Sequence, residues 1–177
     1  RKTFDVCGEL SRARLYVYGL GLYEAYLNGK KVGDEYLTPY CNDYDSWQQV
    51  QTYDITGMIK QGKNALGVML GNGWYKGRIG YDNWENPLYG EEFVLYSITE
   101  LSYADGRKEW IRTDESWLTA PGPVMDSGIY DGEIYDANQE IPRWAEADCD
   151  YPDWQPAKLI GKRFLGLSDR LSPPVLV

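Results

Sequence analysis

Period-two alternation, broken every few residues by glycine, asparagine or aspartate, most narrows what this chain can become. Arg14–Tyr18 mixes β-branched and aromatic residues and is cut at Gly19 and Gly21, after which Tyr23–Leu27 runs into Asn28-Gly29 and Lys30–Val32. Asn-Gly between two such runs predicts a tight hairpin, because both central positions need positive φ. Ala65–Leu70 is a short continuous apolar run of the kind a sandwich core holds. Phe93–Tyr103 alternates up to Asp105-Gly106, a second hairpin signal before Lys108–Arg112, and Ile129–Ala137 and Pro174–Val177 read as further strands. No window sustains a 3.6-residue period; Asp54–Thr56 caps at most one helical turn, which Gly62 ends. Short strands joined by long polar loops predict an all-β chain folded as a jelly-roll β-sandwich.

A length of 177 residues fits one domain. Residues 1–145 are expected to form the sandwich, and residues 146–177 to close it or to begin a following domain. The change falls near Trp144–Asp153, ahead of Ser172-Pro173-Pro174. Because Arg1–Asp5 already reads as extended, the sequence has the character of a piece cut from a longer protein. The absence of histidine removes Ser-His-Asp and Cys-His catalysis and His-ligated zinc. A net charge of −9 disfavours nucleic acid and anionic membranes. No stretch approaches the roughly 20 apolar residues of a membrane span, and periplasm, exterior and cytoplasm all stay open. Cys7, Cys41 and Cys149 lack any Cys-x-x-Cys spacing and read as buried free thiols, ahead of a single disulfide.

One apparent motif fails on inspection. Gly57–Lys63 copies a phosphate-binding loop, but Asn64 stands where a hydroxyl must meet magnesium, and a strand follows instead of a helix. More informative is Gly71–Arg78, where glycines hold Trp74 and Tyr75 on a loop that continues into Tyr81, Asp82, Asn83 and Trp84. Sugars present apolar C–H faces and rows of hydroxyls, so a site for them needs rings beside planar carboxylates and amides. The plainer alternative, equally weighted, is a structural loop with Asp82 capping a turn. Pro39–Trp47 and Asp126–Asp136 have the same acidic and aromatic character. Such oxygen donors without nitrogen or sulfur suit Ca²⁺, although neither segment has EF-hand spacing. Against this stands the simpler reading that Asp43, Asp54 and Asp131 cap turns or pair with arginines. Acids are plentiful enough for a glycosidase pair roughly 5–10 Å apart, yet no local pattern assigns an acid and a base.

Four segments in order carry a resemblance: Leu22–Gly33, Gln51–Thr56, Gly71–Gly77 and Tyr130–Ala137. Together they resemble the N-terminal domain of bacterial α-L-rhamnosidases, and the matching region runs from about Leu22 to Ala137. The resemblance implies a jelly-roll sandwich of the galactose-binding-like, carbohydrate-binding-module type preceding a catalytic (α/α)₆ barrel outside this sequence. Members of that family cleave terminal L-rhamnose by inversion with acidic residues of the barrel, so no catalytic residue is carried onto this chain. In some relatives the sandwich binds rhamnose through calcium, with an Asp-Asn pair and backbone oxygens on the ion; Asp82-Asn83 is the matching candidate.

The reading is therefore a non-catalytic, carbohydrate-binding accessory domain of a larger rhamnosidase-like glycoside hydrolase. Its candidate sugar-binding residues are Trp74, Tyr81, Asp82, Asn83, Trp84, Asp131 and Glu133. Asp82, Asn83 and Asp131 are the candidate Ca²⁺ ligands, with rhamnose-containing glycans and the barrel as partners. The rival is a purely structural domain whose loops pack on the barrel, which expects Trp74 and Tyr75 to be exposed when the domain is alone.

Overall fold

The structure is a computed structural model describing residues 1–80, 87, 89–161 and 166–176. In chain order its strands are β1 (Lys2–Val6), β2 (Leu10–Leu20), β3 (Leu22–Leu27), β4 (Lys30–Lys31), β5 (Gln48–Asp54) and β6 (Gly62–Gly71). A one-turn helix α1 (Gly73–Lys76) follows, then β7 (Val94–Tyr103), β8 (Lys108–Arg112), β9 (Leu118–Thr119), β10 (Val124–Gly128), β11 (Gly132–Tyr135), β12 (Gln155–Pro156) and β13 (Leu167–Asp169). Two sheets, ordered β1-β6-β3-β4 and β13-β5-β2-β7-β8, make the expected all-β jelly-roll sandwich.

Alternation decides which side chains lie between the sheets. Ala13, Leu15 and Val17 of β2 meet Phe4 and Val6 of β1, Tyr23, Ala25 and Leu27 of β3, and Leu66 of β6 in one buried cluster. Each large apolar side chain so buried contributes about 1.5–3 kcal/mol. The Asn28-Gly29 turn has φ of 52° and 81°, as its sequence predicts, and joins β3 to β4. Gly106, at φ 86°, similarly turns β7 into β8. Gly21 carries the chain from one sheet to the other at φ 101°; a Cβ there would fall 2.2 Å from the Gly71 carbonyl oxygen. Of the closing strands, the Pro174–Val177 expectation reduces to a single bridge between Val175 and Tyr36.

The failed phosphate-loop pattern has a structural explanation. Thr56–Met58 is a single 3₁₀ turn, with the Thr56 amide donating to Asp54 Oδ1 at 3.0 Å, and Asn64 sits inside β6. The Asn64 amide is fully buried and ties Lys60, Gly62 and Asn28 together. That residue stitches a turn and cradles no phosphate. The cysteines are free, but the expectation of burial fails: Cys7 and Cys41 are exposed and Cys149 is half-buried. Residues 146–177 contribute β12, paired with β9, and β13, paired in parallel with β5. No helix among the described residues is long and apolar enough to cross a membrane.

Candidate carbohydrate-facing rim

The end of the sandwich where β2 turns into β3 is also where β6 runs out. There the backbone amide of Asn72 donates to Ser127 Oγ at 2.8 Å, and its side-chain amide donates to Asp126 Oδ1. Gly73 forms a parallel bridge with Gly128. These contacts dock α1 on the β10–β11 hairpin across more than 50 residues of sequence. A second small core underlies the junction: Leu20, Tyr44 and Tyr75 are buried, with Trp74, Tyr89 and Val94 against them. Tyr44 meets Tyr75 and Tyr89 edge-on, with ring centroids 5.1 and 5.0 Å apart. Burial drives the Tyr44 hydroxyl pKa well above its ordinary value. The Pro39–Trp47, Gly71–Arg78 and Asp126–Asp136 stretches thus meet at one rim.

Three of the candidate residues, Trp74, Asp131 and Glu133, are among the described residues. Trp74 lies on α1, half-buried on the small core. Tyr75, which the structural-domain reading expects to be exposed, is instead 2% exposed, because its ring fills the space between Leu20 and Tyr44. Asp131 follows β10 and accepts from Arg78: Nε donates at 3.0 and 2.9 Å to its two oxygens, and Nη2 donates at 2.8 Å. Arg78 Nη1 also donates to the Gly80 carbonyl at 2.7 Å, and the guanidinium stands 5.2 Å from the Tyr130 ring centroid. The Arg78 hydrogen bonds hold the Asp131 carboxyl below the usual carboxylate range. Glu133 is exposed on β11, opposite Ser127. Tyr81, Asp82, Asn83 and Trp84 lie outside the described residues.

This geometry bears on the calcium expectation. Both Asp131 oxygens already accept from a guanidinium, whose positive charge balances the carboxylate from behind. As placed, Asp131 is engaged as an ion-pair partner, which matches the simpler expectation that it pairs with an arginine, and the other two candidate ligands, Asp82 and Asn83, lie outside the described residues. Elsewhere, Glu146, Asp148 and Cys149 bring ligand atoms within 4.8 Å of one another, but Arg143 bridges both carboxylates at 2.7 and 2.8 Å. That grouping is an ion-pair network. Two clefts, of about 270 Å³ beside Glu35 and Arg170 and about 310 Å³ beside Lys60 and Asp148, lie away from the rim.

Sequence reasoning reached Asp131 and Trp74 but not Arg78 as the partner of Asp131, nor Asn72, Asp126 and Ser127 as the fasteners. Their contacts span 53 to 55 positions, and no local pattern marks them. Tyr130 was visible only as one ring in an acidic stretch.

Comparison with known proteins agrees with the architecture. Residues 8–177 match the family described as the α-L-rhamnosidase N-terminal domain. An α-L-rhamnosidase from Formosa agariphila is 34% identical over 181 residues, taking in 99% of this chain and 19% of its own length. Another from Streptomyces avermitilis is 41% identical over 146 residues, 82% of this chain and 14% of its own. The solved structure of Streptomyces avermitilis α-L-rhamnosidase complexed with L-rhamnose superposes with a TM-score of 0.90 at 36% identity, over 98% of this chain and 17% of that one. The α-L-rhamnosidase of Aspergillus terreus gives 0.88 at 39% identity, over 98% and 20%. The chain thus spans under a fifth of the length of the curated relatives, and it belongs to the family of α-L-rhamnosidase N-terminal domains.

Proposed function

We propose that this chain is a non-catalytic accessory domain of a larger α-L-rhamnosidase and that its α1/β10–β11 rim contacts terminal L-rhamnose on a glycan. The observation carrying this reading is the convergence at the rim: Tyr130 stands beside the planar Asp131–Arg78 pair, and Trp74 lies on α1, which is docked on the same hairpin. A hydroxyl both donates and accepts, so it can bridge a carboxylate and a guanidinium while a sugar face rests on a ring. The Streptomyces avermitilis relative, itself complexed with L-rhamnose, supports the choice of sugar. Tyr81, Asp82, Asn83 and Trp84 are candidates for further sugar contacts, and Glu133, exposed on β11, is another. Asp82 and Asn83 are the residues that would hold Ca²⁺, whose chemistry is the ligation of neighbouring sugar hydroxyls. Asp131 serves the sugar directly, and cleavage belongs to the remainder of the polypeptide.

Calorimetric titration of the chain with L-rhamnose, with calcium and with EDTA, tests the reading. Heat of binding that Trp74→Ala or Asp131→Asn diminishes supports it, and loss in EDTA assigns the ion. No heat at millimolar sugar and saturating calcium refutes it. A second reading, a structural domain packed on a catalytic barrel, draws on one observation. Tyr36, Leu37, Leu171, Val175 and Leu176 are exposed in the two segments joined by the Tyr36–Val175 bridge. Protection of these side chains in a longer rhamnosidase polypeptide, without any response to sugar, would favour it.

A further inference from the structure

Sheet faces normally turn apolar residues inward and polar residues outward. β7 does the reverse over its middle: Ser97 and Thr99 face the interior fully buried, while Tyr96 is 39% exposed and Ile98 half-buried on the outer face. β5 repeats the inversion, with Gln49 and Gln51 buried and Val50 half-buried on the alternate side. The register collects the outward residues into rows. Tyr18 lies opposite Tyr96; Thr52, Tyr16, Ile98 and Arg112 form the next row; Asp54, Arg14, Glu100 and Trp110 the one after. Arg12, Ser102 and Lys108 follow.

The outer face of the β13-β5-β2-β7-β8 sheet thus carries exposed rings, four cations and three carboxylates; Asp54 and Asp169 lie on β5 and β13, and among the β2, β7 and β8 residues Glu100 faces Arg12, Arg14, Lys108 and Arg112. Tyr96 stacks on Tyr18 at 5.1 Å and 20°, and Trp110 is 49% exposed. Trp110 lies between Lys108 and Arg112 on one strand, each two residues away, or about 7 Å along the chain. Lys108 is paired with Glu100 at 2.8 Å, and Arg14 lies in register between Asp54 and Glu100. Arg12 and Arg112 form no ion pair among the described residues. A surplus of positive charge on one face of a chain of net charge −9 selects an anionic partner.

We infer that this sheet face binds an acidic glycan, with uronate rings resting on Trp110 and Tyr96 and carboxylates meeting Arg112 and Arg12. The core of a protein–protein interface is depleted of charge. Here Trp110 lies between Lys108 and Arg112 along its strand and in a row with Glu100 and Arg14 across it, so the most exposed ring has a charged surround; the dry ring of this face, Tyr18, lies apart from it, against Tyr96. Alternating ring and guanidinium instead match a ligand that alternates C–H faces with carboxylates, which arginine grips in a planar fork. The site lies on the face of the sheet, apart from the loop rim proposed for rhamnose, and the two readings stand or fall separately.

The test is titration of the 177-residue chain with hexagalacturonate at low salt, beside its carboxyl-reduced, neutral counterpart. Binding of the acid alone is expected, weakening with added salt and unaffected by saturating L-rhamnose. Trp110→Ala and Arg112→Gln, both at exposed positions, should keep the parent melting temperature and each weaken binding about tenfold. No binding of hexagalacturonate overturns the inference, as does equal binding of the neutral chain or indifference to both substitutions. Burial of Trp110 against another part of a longer rhamnosidase polypeptide would assign the face to protein and overturn it as well.

Discussion

Replacing Asn64 by alanine is expected to destabilise the chain far more than a change of one small polar side chain suggests. The Asn64 side chain is fully buried, and both ends of its amide are used. Oδ1 accepts from the Lys60 amide at 2.9 Å and from Asn28 Nδ2 at 2.8 Å; Nδ2 donates to the carbonyls of Lys60 at 2.7 Å and Gly62 at 2.8 Å. Alanine removes all four bonds and strands their partners. At about 1 kcal/mol net for each bond, less where half-buried Asn28 can recruit water, the loss comes to about 3–4 kcal/mol. For a domain of this size that lowers the melting temperature by about 10 °C. Urea unfolding followed by tryptophan fluorescence should show the drop with an unchanged denaturant slope. Asn28→Ala removes the shared bond from the other side, so the double mutant should fall short of the summed losses by about 1 kcal/mol. Asn64→Ser completes the phosphate-loop pattern that begins at Gly57, yet it should bind no Mg-ATP, because the chain continues into β6. An Asn64→Ala protein within about 0.5 kcal/mol of the parent would refute the reasoning.

Three further outcomes are expected. Tyr75→Ala empties the small core between Leu20 and Tyr44 and should cost about 3–5 kcal/mol in denaturant unfolding; a loss under 1 kcal/mol would mean that α1 does not depend on that core. The hairpin region should be acid-labile. Arg78 bonds lower the Asp131 pKa, and hydrogen bonds from Asn138 lower that of Asp136. Depressed folded values give a contribution fully present above the unfolded carboxyl pKa of about 3.9 and lost as pH falls through the folded ones. Hydrogen exchange over residues 124–139 should therefore stay protected at pH 5 and open below about pH 4; opening between pH 7 and 5 would contradict this. Although Cys41 is exposed, desolvation of its thiol by the surrounding protein raises its pKa, so its alkylation by iodoacetamide at pH 8 should lag a cysteine in an unstructured peptide, and equal rates would refute that.

The sandwich was legible because its signals are local. Asn28-Gly29 needs nothing beyond its own backbone to turn, and Leu15, Val17, Ala25 and Leu27 declare their face by spacing. Inversion in β7 was not legible. Alternation from Val94 to Tyr103 reads as a half-buried strand in either phase, and only pairing with β2 shows Ser97 and Thr99 inside. The cysteines misled for a related reason: exposure at Cys7 and Cys41 depends on which loops cover them, and composition carries no trace of that. At the rim, residue types were visible and partnerships were not. An acidic stretch advertises donors for a cation, whereas the arginine that claims Asp131 lies 53 positions earlier.

That partnership allows a direct contest between two roles for Asp131. Its side chain is 47% exposed and that of Arg78 only 12%, so the carboxylate faces outward with the guanidinium behind it. A hydroxyl can donate to such a carboxylate without disturbing the pair, since Oδ2 accepts from Nε alone and keeps an in-plane lone pair that Arg78 does not use. A divalent cation gains less from a carboxylate whose charge is already balanced at hydrogen-bond distance than from a free one. Arg78→Gln separates the alternatives. If Asp131 acts by hydrogen bonding, losing its orienting partner should weaken L-rhamnose binding and leave the EDTA response as in the parent. If Asp131 is a latent metal ligand held off by Arg78, freeing it should tighten calcium binding. An increase in calcium affinity in the Arg78→Gln protein would therefore refute the reading of Asp131 as a direct sugar contact.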